Sequence, residues 1–158
     1  MDTTRLTHAY RDLVAAASAI DAAVRRADVD WTLAHIALSD EMLAGAAERL
    51  LTGENVVVDN RAAMDETAIA ELIAATSHAE RVALVHRNGA ALTNVVGRIP
   101  EATADRTVRI RLVDRTGRQV TDAEVTWDRL IRMRAEEHLP GHTARLAAVS
   151  GAASATRP

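Results

Sequence analysis

The sequence contains no cysteine, no phenylalanine and no lysine. Without cysteine there is no disulfide, no thiolate nucleophile and no sulfur ligand for a metal. Any metal has to be held by His, Asp or Glu. Aromatic residues make up only 2% of the chain. Strands favour aromatic and β-branched side chains; here alanine, the strongest intrinsic helix former, is abundant instead. The composition predicts mainly helix, packed closely through small side chains. All 19 basic residues are arginine, a bias that with the alanine content points to a GC-rich bacterial genome. The net charge is −3 and no basic block is present, which argues against a nucleic-acid partner. No apolar run approaches the ~18 residues of a membrane helix, and "MDTTRLTHAY" is not a secretory signal. A cytoplasmic protein with no membrane partner is expected.

What is present suits one domain with a single core, since the chain has 158 residues and is 48% hydrophobic. The first helix is predicted from Thr4 to Ala27, with Leu6, Leu13, Ala17, Ile20 and Val24 as its buried stripe. Asp30 is a candidate N-cap for a second helix, Trp31 to Thr52, striped by Trp31, Ala34, Leu38, Met42, Leu43, Ala46 and Leu50. Gly53 ends it. The segment "GENVVVDNRAAMD" is longer than a helical hairpin needs and reads as a crossover. Asp65 can cap a third helix, Glu66 to Val96. Its stripe is Leu72, Ala75, Ala79, Val82, His86, Gly89, Thr93 and Val96, with Asn88-Gly89 as a potential break.

The period then changes. Val108, Ile110 and Leu112 alternate with Arg109 and Arg111, and the turn at 114–117 allows Gln119 and Val120 to return as a short β-hairpin. "TDAE" at 121–124 has the form of a capping box, flanked by Val120 and Val125 as a hydrophobic staple. This places the start of the fourth helix at Thr121. The expected architecture is all-α: a four-helix bundle with a long crossover between helices two and three and a short β-hairpin before helix four. Residues 1–150 form the bundle and 151–158, "GAASATRP", a frayed, disordered tail.

The chemistry is concentrated in histidines. In "EEHLPGHTARL", His138 and His142 stand at i and i+4, so on a helix their imidazoles lie one above the other and can reach one ion. Pro140 and Gly141 between them argue for a turn. "HTARLAAV", however, resumes helical composition, with Leu146 and Val149 continuing the stripe of Trp127, Ile131 and His138. A kink at Pro140 would free the Glu136 carbonyl, and Gly141 would let another group approach the backbone. His35, on the inward side of helix two, is a third candidate ligand, and His86 is its competitor. A core histidine bonded to a carbonyl is the plainer reading of His35. His8 is expected to be solvated and His78 to lie at the edge of the third-helix stripe.

These features together resemble the DinB-like superfamily. The residues that carry the likeness are "W…AH" in helix two, the hairpin before helix four, and "HLPGH" followed by Thr-Ala-Arg-Leu where relatives often have a Leu-Ala-Gln-Leu-like run. The likeness extends over nearly the whole chain. The superfamily includes mycothiol-dependent maleylpyruvate isomerases and bacillithiol and mycothiol S-transferases. The resemblance implies a divalent ion, Zn or Ni in the first place, on His35, His138 and His142. It also implies a low-molecular-weight thiol such as mycothiol as co-substrate, acting on a small electrophile. Glu137, Ser39 or Asp40 would then orient a ligand or accept a proton, with Glu137 and Arg134 as the catalytic candidates. Arg134 would receive a substrate carboxylate; a surface or inter-helix ion pair is its plainer role. A different class stays open, a non-catalytic metal- or ligand-binding bundle, dimeric through its alanine-rich faces. A plain helical bundle with structural histidines stays open as well.

Overall fold

The computed structural model describes residues 1–21 and 26–154, with side chains described as far as 151. The chain is mainly helical. Helix α1 spans Thr4–Ser18, α2 Ala27–Leu51, α4 Glu66–Ala75, α5 His78–Gly97, α7 Trp127–Met133 and α8 Leu139–Ser154. Single-turn helices α3 (Arg61–Met64) and α6 (Glu101–Ala104) lie in the connections. A sheet of three strands completes the fold: β1 Val57–Asp59, β2 Thr107–Val113 and β3 Gln119–Thr126. No helix is long and apolar enough to cross a membrane among the described residues.

Helix α2 is the centre of the molecule. From Thr32 to Asp40 every residue except Leu38 is buried. A helix buried on all sides shows no clean stripe, so Leu33 and Ile36, both fully buried, fall outside the predicted one. Alanines at 34, 37, 46 and 47 are buried to 1% or less and let the neighbouring helices approach closely. Helix α2 packs on α5, and α1 packs on α5 and α8. Leu6, Leu13, Leu33, Leu92, Ile131, Leu139 and Leu146 meet in one core. Each such side chain contributes about 1.5–3 kcal/mol when buried.

Several expected boundaries move. Helix α1 ends at Ser18, and Ala27 belongs to α2; Val24 lies outside the described residues. Asp30 is no N-cap. It sits in the first turn of α2, where acidic groups favour the helix dipole, and accepts a 2.6 Å bond from Arg81 Nη2. The third helix divides into α4 and α5. Asp65 caps α4 through the Ala68 amide as expected. The break comes at Thr76-Ser77, because Ser77 and Glu80 form a true capping box there. Asn88-Gly89 is not a break. Asn88 donates to the Ala37 carbonyl at 2.9 Å, and Gly89 leaves room for the Tyr10 ring, whose Cδ1 would lie 2.6 Å from an added Cβ. The stripe of α5 is accordingly Arg81, Val85, Gly89, Leu92, Val95 and Val96, and His86 is exposed.

The larger correction is at the fourth helix. "TDAEVT" is not a helix start. Residues 119–126 form β3, antiparallel to β2, with Val125 opposite Val108 and Ala123 opposite Ile110. Arg109 holds Asp122 with bonds of 2.7 and 3.0 Å. Cross-strand pairing occupies the backbone that a capping box needs, and Val120 is 54% exposed where a staple residue would be packed. The cap is Thr126, whose hydroxyl accepts from the Arg129 amide, so helix begins at Trp127. The hairpin also gains a partner: β1, from the predicted crossover, lies parallel to β2. Asn60 extends this pairing by bonding both the amide and the carbonyl of Val113, at 2.7 and 3.0 Å. The last helix runs to Ser154; the rest of the expected tail, 155–158, lies outside the described residues.

Candidate metal site

The continuation of helix past Pro140 determines the site. Between α7 and α8 the residues Arg134–His138 form a π-turn, and the Leu139 amide bonds to the Arg134 carbonyl five residues back. One extra residue in the turn lets the helical path resume around a proline that has no amide to donate. The expected close approach at Gly141 does not occur, since nothing lies within 4 Å of an added Cβ. His138 and His142 thus share one face of a continuous helical element. Their ring centroids are 4.7 Å apart.

His35 of α2 faces them, with centroids 5.6 Å from His138 and 5.7 Å from His142. One ligand atom from each of the three lies within 4.8 Å of the others, a group that could hold a metal ion. His35 and His142 are buried and His138 is partly so. His86 joins neither helix face of this group; it opens onto a separate groove between α1 and α5, beside Tyr10 and Gly89. His8 is exposed, and His78 is half-buried with Nε2 3.0 Å from the Ala17 carbonyl.

Each histidine is set by different neighbours. Nδ1 of His35 lies 2.8 Å from the carbonyl of Ala63 in α3. Its ring stacks on Trp31, one turn earlier, at 5.0 Å and 16°. His138 Nδ1 lies 3.0 Å from Arg134 Nη1. His142 Nδ1 is buried with no hydrogen-bond partner. Burial, with the Arg134 charge and the other histidines adding to it, holds His138 down to about 2. Burial, then His35 and the Arg145 and Arg134 charges, holds His142 down to about 3. Burial also lowers His35. Three neutral imidazoles, one with a buried nitrogen that has no partner, could offer their lone pairs to a divalent ion.

Behind the histidines lies a buried polar network. Arg134 and Asp40 form an ion pair with side chains 5% and 0% exposed. Asp40 also accepts from the Tyr10 hydroxyl. Arg134 Nη1 lies 3.1 Å from Ser39 Oγ, and its Nε lies 3.4 Å from Tyr10 Oη. Burial raises Asp40, and Arg134 opposes that rise. Burial alone would lower Arg134; the charges of Asp40 and Tyr10 and their hydrogen bonds more than offset it. The inter-helix ion pair is therefore the role that the fold gives Arg134. Ser39 and Asp40 stand behind His138 through that arginine.

A pocket of about 490 Å³ reaches the site. His35, Ser39, Arg134, His138 and Glu137 line its polar end, and Met42, Met64 and Met133 are among its apolar walls. Glu137 stands at the rim, 62% exposed and paired with Arg129 at 3.6 Å.

No family model, curated protein or solved structure matches the chain.

Sequence reasoning missed three groups: the Ala63 carbonyl, Tyr10, and the pairing of Asp40 with Arg134. Ala63 lay in a segment read as a connection. A backbone carbonyl leaves no mark in sequence. A buried carboxylate such as Asp40 requires a cation, but its partner Arg134 lies 94 residues away and leaves no local signal.

Proposed function

We propose that this chain is a divalent-metal-dependent enzyme of the DinB-like type, a transferase or isomerase that brings a low-molecular-weight thiol to a small electrophile. In this reading α1, α2, α5 and the α7–α8 element are the four helices of a bundle, and the segment from Gly53 to Ser77 is its crossover. The observation that carries the proposal is the pocket that opens onto His35 and His138. Three protein ligands beside an open pocket are the pattern of a catalytic site, whereas structural sites are closed by four.

His35, His138 and His142 would hold the ion, Zn or Ni in the first place. Bound there, it supplies positive charge that favours the ionised form of a thiol or water and polarises a carbonyl. The chain has no cysteine, so the sulfur would come from a co-substrate of the mycothiol kind. The methionine-rich wall suits the apolar body of the electrophile and can adapt to its shape. Glu137, the carboxylate that lines the pocket and pairs with Arg129, would act as the proton acceptor. Arg134 is already committed to Asp40 and Ser39, and in the metal-free chain to His138, so in this reading it does not receive a substrate carboxylate.

The test is thiol consumption by the metal-loaded protein with a panel of electrophiles. A rate that disappears on chelation, and in His142→Ala, supports the proposal. Stoichiometric metal with no rate above the uncatalysed one contradicts it and leaves the non-catalytic metal- or ligand-binding protein as the reading.

A further inference from the structure

The three histidines are not equivalent. The Ala63 carbonyl can only accept, so neutral His35 carries its proton on Nδ1 and keeps the lone pair on Nε2. That ring is already set to bind an ion. His138 is set the other way. A guanidinium can only donate, so Arg134 takes the lone pair of His138 Nδ1 and leaves the proton on Nε2.

A neutral imidazole has one ring lone pair available. At His138 it belongs to Arg134. An ion that binds Nδ1 takes it directly. An ion that binds Nε2 requires the proton on Nδ1, facing the guanidinium. Both routes break the Arg134–His138 bond. Arg134 does not depend on that bond for its place, because Asp40 holds Nη2, Tyr10 lies at Nε and Ser39 takes a second bond from Nη1. The hydrogen bond can therefore open while the arginine stays put.

We propose that Arg134 is a gate on metal loading: it withholds the third imidazole until the ion displaces it. His35 and His142 engage first and His138 last. The site consequently binds its ion more weakly than three free imidazoles would. Arg134 is a positioning residue in this account. The inference rests on the reading that the three histidines hold an ion.

Two measurements test it. Nitrogen-15 imidazole spectra of the metal-free wild type report the tautomers without any substitution. The expected result is the Nε2–H form at His138 and the Nδ1–H form at His35. The Nδ1–H form at His138 overturns the gate. The second measurement is Zn²⁺ affinity, by competition with a chromophoric chelator, in wild type and Arg134→Lys. Lysine keeps a cation against Asp40 but lacks the fork that reaches His138 at the same time. A hydrogen bond with a charged partner is worth about tenfold in an equilibrium, so the variant is expected to bind about tenfold tighter. Equal or weaker binding by a folded variant overturns the gate alone. A wild type that binds no zinc, with a variant that binds none either, overturns the reading of the site and the gate with it. If Arg134→Lys does not fold, the tautomer at His138 decides.

Discussion

The indole of Trp31 stacks on the imidazole of His35, with centroids 5.0 Å apart and planes 16° from parallel. Arg115, at the hairpin tip, places its guanidinium 4.5 Å from the Trp31 ring and also pairs with Asp28 at 3.5 Å. A side chain that touches a candidate ligand and is itself fluorescent is a reporter of occupancy. Nickel or copper binding is expected to quench the emission, and Trp31→Phe to remove most of that quench. The second tryptophan, Trp127, is fully buried at the start of α7 and serves as the internal control. An undiminished quench in Trp31→Phe would place the ion away from His35.

Two glycines on helices should respond in opposite directions. At Gly89 an added Cβ meets the Tyr10 ring at 2.6–2.9 Å. Gly89→Ala is expected to lose roughly 1–3 kcal/mol by overpacking, despite the better helix propensity of alanine. At Gly141 an added Cβ meets nothing within 4 Å. Gly141→Ala is expected to gain roughly 0.5–1 kcal/mol, because it gives up only the flexibility of the unfolded chain. Urea unfolding of the two variants measures both, and equal signs would contradict this account.

The buried pair of Arg134 and Asp40 makes a third prediction. Arg134→Met leaves the Asp40 carboxylate without its cation in a fully buried place. Removing one partner of a buried pair costs about 3–5 kcal/mol. Arg134→Met/Asp40→Asn leaves no unpaired charge and is expected to recover a large part of that loss. A single variant as stable as wild type in thermal unfolding would mean that the pair is not formed.

Acid should destabilise the metal-free protein from about pH 6.5 downward. Burial, first of all, depresses His138 to about 2 and His142 to about 3 from an ordinary value of 6.5. The unfolded chain therefore binds protons below pH 6.5 that the folded chain refuses, and stability falls as pH falls toward 3. Asp40, raised above 3.8 by burial, acts in the opposite sense as pH falls through its folded value. Denaturant unfolding at pH 7 and pH 5 is expected to show the loss in wild type and a smaller one in His138→Gln. An equal loss in both would remove His138 from the cause.

The helical character of the chain and the HxxxH pair were legible because both rest on a local rule, the i, i+4 spacing of one helix face. His35 was legible only as a candidate on the inward side of helix two, where a core histidine bonded to a carbonyl was the plainer reading, and it makes that bond as well, to Ala63. The end of the hairpin was not. "TDAE" satisfies a capping pattern, but the strand opposite it decides, and pairing of Arg109 with Asp122 cannot be seen in a short window. "VVVD" at 56–59 was too short to read as a strand until β2 was beside it. At Pro140 the clash was legible, but its relief by a π-turn at 134–138 was not, because no residue type marks such a turn as proline or glycine marks a break. The break at Ser77 carried a readable signal, Ser-x-x-Glu, that an alanine-rich rhythm on both sides concealed.

His35, His138 and His142 are expected to hold one divalent ion together. Metal content after purification without a histidine tag, with zinc or nickel supplied and excess removed by dialysis, tests it most directly. One equivalent per chain is expected in wild type and in His86→Ala, and loss of bound metal in His35→Ala, His138→Ala and His142→Ala. A wild type with no stoichiometric metal, or full retention by any of those three variants, would contradict it.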